Sequence, residues 1–196
     1  LELELIWRCA CGAQQPLPPF TNVPSIGFNN VAIQPFGTPD SVNACMQRKF
    51  TPVVLGNLTR GTCHGVLPRT ETIRIQGSPE CLRVKLSIVD MAGGLNLNPV
   101  AISEYLDLAQ YQAVGANHPP LRYKLSSVLA HNGGAGAGHW VAAARGSDQV
   151  FYINDYHVDE QQNAALRANP QAHTTPGAGQ MQSVVLMYRQ PHPRGI

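Results

Sequence analysis

At 196 residues, the chain is long enough for one domain that buries about 70% of the surface its unfolded form exposes, so it needs no disulfides to fold. Charged residues make up only 13% and the net charge is +2, which excludes a highly charged disordered tail and argues against nucleic-acid or acidic-membrane partners. Eighteen glycines and sixteen prolines favour turns and short strands, excluding a helical bundle or coiled coil. No run approaches the ~18 consecutive apolar residues of a membrane span. The start, Leu1-Glu2-Leu3-Glu4-Leu5-Ile6-Trp7, carries acids where a signal peptide has bases, and the missing Met implies a start inside a longer protein. Five cysteines, an odd number, point to a reducing, intracellular compartment, cytoplasmic or nuclear.

Taken in chain order, Leu1, Leu3, Leu5 and Trp7 mark one face of a half-buried strand that runs into a knuckle-like turn, Cys9-Ala10-Cys11-Gly12. Residues 14–39 are rich in Pro and Gln, with a strand at Val31-Ala32-Ile33. Asp40-Ser41 caps a predicted helix from Val42 to Phe50, with Cys45 inside it as a small apolar residue. A second turn falls at Gly61–Gly65. Thr70–Ile75 and Leu82–Ile88 alternate and read as strands, while Ile102–Tyr111 has a mixed pattern that assigns to neither class. The last third predicts a strand at Tyr123–Ala130, a glycine loop at Asn132–Gly138, and strands at His139–Arg145 and Val150–Asn154 around a turn at Gly146-Ser147-Asp148. A helix over Val158–Ala168, a loop, and a final strand at Ser183–Arg189 complete it. The expected whole is an antiparallel sheet with few helices and a two-knuckle insertion near the start.

His139 opens a strand directly after four glycines, Gly133, Gly134, Gly136 and Gly138, whose missing Cβ atoms let backbone approach a ligand. Fifteen residues on, Asn154-Asp155 ends the neighbouring strand. Across a short hairpin either residue can accept the imidazole Nδ1–H, and a general base needs such an orienting partner. The alternative is a surface histidine beside a turn.

Tyr123, Leu125, Ser127, Val128, His131 and Gly133, followed after four residues by Gly138-His139-Trp140, resemble the histidine box of the ubiquitin-specific proteases. Every defined position matches except the last, where Trp140 stands for Tyr. Leu106-Asp107-Leu108 with Tyr111, Tyr152–Asp155 with Val158, and Val184–Arg189 are similar to further stretches of that family. The likeness is specific from about Pro79 to Arg189 and loose before it.

The resemblance implies an α+β papain-like cysteine protease fold of the ubiquitin-specific type. Residues 1–78 would be a fingers-like region and 79–196 the palm, with the thumb and cysteine box missing. His139 would be the general base, Asn154 its orienter and Asp155 a supporting acid, while Gly133, Gly138, Trp140 and His131 would border the substrate tail. His118, His157, His173 and His192 read as plain surface histidines. None of Cys45, Cys63 or Cys81 matches the family's nucleophile segment, so the chain reads as the C-terminal half of a catalytic domain with its thiol upstream or lost. No catalytic cofactor is implied. A structural zinc could use Cys9, Cys11 and Cys63, with His64 beside it, but the irregular spacing favours a degenerate finger without metal. The expected function is hydrolysis after the C-terminal Gly of ubiquitin, with ubiquitin or ubiquitinated proteins as partners and neither nucleic acid nor membrane involved. The alternative is an inactive ubiquitin-protease-like scaffold.

Overall fold

The structure, a computed structural model, describes residues 2–12, 14–16, 20–21, 29–33, 40–58, 67–87, 100–115, 118–134, 137–145, 150–159 and 182–191. In chain order the elements are β1 (Glu2–Cys9), β2 (Gln14–Pro16), β3 (Phe20–Thr21), β4 (Asn29–Ile33), β5 (Asp40–Ser41), α1 (Val42–Phe50), β6 (Val53–Leu58) and β7 (Leu67–Ile75). They continue with β8 (Cys81–Leu86), β9 (Val100–Ala101), β10 (Tyr105–Asp107), a 3-10 turn (Ala109–Tyr111), β11 (Arg122–Gly134), β12 (Ala137–Arg145), β13 (Val150–Asn154), β14 (His157–Asp159) and β15 (Gln182–Arg189).

Among the described residues these form two main sheets. The smaller runs β2-β1-β7-β6, with β3 also on β1. The larger runs β14-β13-β12-β11-β15-β8-β4, with β10 also on β11. Alternation explains the first: Leu3, Leu5 and Cys9 are buried on one face of β1, opposite Glu4, Ile6 and Arg8. In the second sheet, Leu82, Val84 and Leu86 of β8 point inward, and Leu186 and Tyr188 of β15 join them. Helix α1 covers this core with Val42, Cys45, Met46 and Phe50, and Phe50 stacks on Tyr111 at 4.8 Å between ring centroids.

Two buried tyrosines tie the larger sheet to its connections. The Tyr188 hydroxyl donates to Ser103 O and the Tyr123 hydroxyl to Pro79 O, both at 2.9 Å. Burial raises both phenols, Tyr123 to about 12. The start of α1 is fixed as the sequence implies: Ser41 Oγ accepts from Ala44 N at 3.1 Å. Asp40, buried beside it, accepts from Ser41 N and from both terminal nitrogens of Arg48.

Several expectations change. The glycine segment is not wholly a loop: β11 and β12 stay paired through Gly133↔Gly138 and Gly134↔Ala137, while residues 135 and 136 lie outside the described residues. Backbone ladder bonds hold these positions extended without needing side chains. The predicted helix at Val158 begins instead as strand β14, because Asn154↔His157 and Ile153↔Val158 close a hairpin; its remainder lies outside the described residues. β6, unmarked by sequence alternation, pairs with β7. The mixed stretch at 102–111 holds β10 and the 3-10 turn. The sheet is also not wholly antiparallel, since β4 runs parallel to β8. The second turn at 61–65, including Cys63 and His64, lies outside the described residues, as do His173 and His192.

Candidate active site

The site is built on the β11–β12–β13 corner of the larger sheet. The β12–β13 ladder pairs Arg145 with Val150 and Ala142 with Ile153. One step further along that register brings Asn154 beside Val141, so His139 is its diagonal neighbour on the same face, about 7–8 Å away between Cα atoms. An imidazole and a carboxamide span that gap. His139 Nε2 lies 2.5 Å from Asn154 Oδ1. The amide oxygen can only accept, so Nε2 carries the proton and Nδ1 is left with its lone pair. This corrects the expectation that Nδ1–H would be the bonded group. Nδ1 has no hydrogen-bond partner among the described residues.

Behind the pair, the same sheet face carries Val141, Ala130 and Val128, all buried. His139 is exposed at the outer end of that face. The strand thus anchors the pair on the core side and presents the ring to solvent on the other. Asp155 behaves differently. It begins the β13–β14 turn with φ at 50°, a conformation tolerated best by Gly, Asn and Asp, and its exposed side chain makes no hydrogen bond among the described residues. The structure brings Asn154 to His139 and does not bring Asp155.

Trp140 and His131 face each other across β12 and β11, with ring centroids at 4.5 Å and an interplanar angle of 44°. Neighbouring side chains alternate, so this pair stands on the opposite sheet face from His139. Trp140 is 50% exposed. Gly133 and Gly138 are directly paired beside them and leave a stretch of ladder without side chains.

The described cysteines lie elsewhere. Cys45 is buried in α1, where burial first, and the Asp40 carboxylate next, push its thiol up to about 11. That is the environment of an inert thiol rather than a nucleophile. Cys81 opens β8 as expected. Cys9 is buried with Leu3 and Leu5, whereas Cys11 is exposed inside the turn that Gly12 N closes by donating to Cys9 O at 2.9 Å. Among the described residues no three His, Cys, Asp or Glu side chains gather as a metal site. The described thiols alone therefore do not supply the closed, four-ligand set that zinc needs.

Two features escaped the sequence. His118 is not a plain surface residue: its Nε2 lies 2.8 Å from Gln76 O and its Nδ1 2.8 Å from Gln112 Nε2, tying the loop before β11 to the end of β7. The Asp40–Arg48 pair was visible only as a cap. A carboxylate eight residues before an arginine, across a helix start, is the signal that could have found it.

A family model described as ubiquitin carboxyl-terminal hydrolase matches residues 8–188. The chain belongs to that family. Comparison with curated proteins finds no match. Among solved structures, the fold of this family member matches the Ubp8 ubiquitin-specific protease domain in the SAGA Ubp8/Sgf11/Sus1/Sgf73 DUB module bound to ubiquitin aldehyde, with a TM-score of 0.69 and 17% identity. A SAGA DUB module bound to monoubiquitin gives 0.69 and 18%, and a yeast SAGA DUB module gives 0.66 and 18%. In each case 96% of this chain is covered but only 40% of the matched chain. The mainly antiparallel architecture is therefore the α+β papain-like fold of the ubiquitin-specific proteases. No helix among the described residues is long and apolar enough to cross a membrane.

Proposed function

We propose that this chain is the histidine-bearing part of a cysteine deubiquitinase that hydrolyses the bond after the C-terminal glycine of ubiquitin. The observation that carries the reading is the 2.5 Å bond from His139 Nε2 to Asn154 Oδ1, made from the two positions that match the family's motif. With Nε2–H held by Asn154, Nδ1 is the nitrogen that takes the proton of a thiol. The thiolate attacks the glycine carbonyl carbon, the carbon–nitrogen bond breaks, and His139 returns the proton to the leaving amine. Water then attacks the thioester with His139 again accepting a proton, which releases the glycine carboxylate and the thiol. Asn154 fixes the ring's direction and tautomer but carries no charge, so it stabilises the imidazolium less than an aspartate would.

The thiol itself belongs, in this reading, to a segment outside the chain. Gly133 and Gly138 border the ubiquitin tail, residues 1–78 are the fingers and 79–196 the palm; Trp140 and His131, on the sheet face away from His139, do not line the tail beside the base. One observation favours the alternative of an inactive scaffold: of the described thiols, the buried one in α1 is held protonated and none is hydrogen-bonded to His139. The test is cleavage of a ubiquitin–fluorophore amide by the purified 196-residue chain. No turnover is expected. Thiol-dependent turnover, lost on replacing any one of its five cysteines, would overturn the assignment of all five as non-catalytic.

A further inference from the structure

The face of the larger sheet opposite His139 carries a surface that the catalytic reading does not use. One row runs straight across it: Lys85, Val185, Leu129, Ala142, Ile153 and Val158 are successive cross-strand partners on β8, β15, β11, β12, β13 and β14. Trp140 and Ala144 stand two residues before and after Ala142 on β12, so they share this face. Of these side chains only Val185 is buried, while Ile153 is 37% and Val158 54% exposed. We propose that this face docks a short amphipathic helix of a partner protein, with its apolar stripe along β12 and acidic residues on the flank nearer β8. This inference stands apart from the ubiquitin reading and does not depend on it.

Size selects a helix. Ala142 and Ala144 leave a shallow floor, with the taller Leu129 on β11 and Ile153 on β13 as its walls. The walls are two strand spacings apart, about 9.6 Å, close to the ~10 Å diameter of an α-helix. Trp140, against His131 with ring centroids at 4.5 Å, closes one end. The floor from Trp140 to Ala144 is about 14 Å long, room for about nine helical residues. From β15 to β14 the surface is about 19 Å wide, so its footprint is roughly 270 Å². A stable dimer takes about 800 Å² from each partner, which argues against a second copy of this chain as the occupant.

Charge selects the flank. Arg83 and Lys85 stand across from Met187 and Val185 on one side and from Asn30 and Ala32 on the other, so no carboxylate is directly opposite either cation. Neither makes a hydrogen bond or ion pair among the described residues. Arg189 and Lys124, on the same face, differ in this respect: Glu80 and Glu104 neutralise them. β8 lies three spacings from β12, about 14 Å, a gap that a glutamate on the helix flank and a Lys or Arg side chain close between them. A charge-assisted bond there fixes the direction in which the helix lies. A nucleic-acid backbone would use the two cations and leave the apolar row in water.

The experiment is fluorescence anisotropy of the 196-residue chain with a labelled helical peptide of about fourteen residues, bearing Leu and Ala at i, i+3, i+4 and i+7 and glutamates on one flank. Saturable binding is expected, weakened about tenfold by Trp140→Ala and by Val158→Glu. Lys85→Glu should weaken the glutamate peptide about tenfold but the matching glutamine peptide by less than about twofold. Val54→Glu, on the exposed strand β6 of the other sheet, should leave binding within about twofold. All four positions are exposed, so none of these variants removes a core side chain. No saturable binding, unchanged binding by Trp140→Ala, an equal effect of Lys85→Glu on both peptides, or equal loss with Val54→Glu would overturn the proposal. So would displacement of the peptide by ubiquitin, or a dimer in sedimentation that Trp140→Ala breaks, since either gives the face to another occupant.

Discussion

Removing the guanidinium from α1 probes how the fold holds a buried charge. The Asp40 side chain is 1% exposed, whereas Arg48 is 44% exposed. Asp40 Oδ1 accepts from Ser41 N at 2.7 Å and from Arg48 Nη1 at 3.2 Å, while Oδ2 accepts from Arg48 Nη2 at 2.5 Å and from the Cys45 thiol at 3.5 Å. Arg48→Ala therefore leaves a carboxylate in the core without its counter-ion. Breaking a fully buried pair in this way costs about 3–5 kcal/mol. Half of this pair is solvated, and the Ser41 amide and Cys45 thiol remain, so about 2–3 kcal/mol is expected. At about 2–4 °C per kcal/mol for a chain of this size, Tm should fall by roughly 4–12 °C. Asp40→Ala should cost less, about 1–2 kcal/mol, because the freed guanidinium can turn to water, although the Ser41 amide and the Cys45 thiol both lose an acceptor. The double variant should be more stable than the sum of the two losses predicts, since it leaves no orphan charge. Urea unfolding at pH 7 measures all three. If Arg48→Ala lost less than about 0.5 kcal/mol, the pair would be an ordinary surface bridge and the reasoning about the buried carboxylate would be wrong.

Cys45 should resist alkylation in the native state and react only after unfolding, and mass mapping of labelled cysteines at pH 8 would expose any early modification. Its thiol titrates near 11 in the fold against 9.0 unfolded, so the folded state binds more protons between those values. Stability is thus full below pH 9 and falls as pH rises through 11, with Tyr123, raised to about 12, adding to the decline above 10; a stability profile flat from pH 8 to 11 would contradict this. On the proposed reading, in a protein that joins this chain to a thiol-bearing segment, Asn154→Ala should lower kcat by about 10²–10⁴ and Asp155→Ala by only a few-fold; the reverse order would move the orienting role to Asp155. Elemental analysis of the purified chain should find less than about a tenth of an equivalent of zinc, and a full equivalent bound by Cys9, Cys11 and Cys63 would show a working finger.

The sequence carried the parts of this fold that rest on local pattern. Alternation located β1 and β8, and the capping residues before Val42 located the start of α1 and its approximate end. It misplaced what depends on distant partners. Gly133, Gly134 and Gly138 read locally as parts of a loop but are held as strand by their cross-strand partners. Val158 begins an amphipathic stretch, yet the tight turn at Asp155 recruits it to a hairpin. Val53–Leu58 has no alternation to read, because among the described residues it lies at a sheet edge, with Val53 and Val54 both exposed. The candidate pair was legible as residues, since His139 and Asn154 fall in two stretches that resemble the same family and on the two strands of one hairpin. Its chemistry was less so: which ring nitrogen meets Asn154 depends on the direction from which the imidazole enters, and that is set by the diagonal register of β12 and β13.

The most direct test of the central claim uses a protein in which this chain is joined to a thiol-bearing segment, with and without His139→Ala. Hydrolysis of a ubiquitin–fluorophore amide should fall by at least about 10³-fold in the variant, by analogy with loss of a catalytic base, while its affinity for ubiquitin stays within about twofold. Turnover that survives His139→Ala at near its original rate would show that this histidine is not the base and that the His139–Asn154 pair serves only the fold.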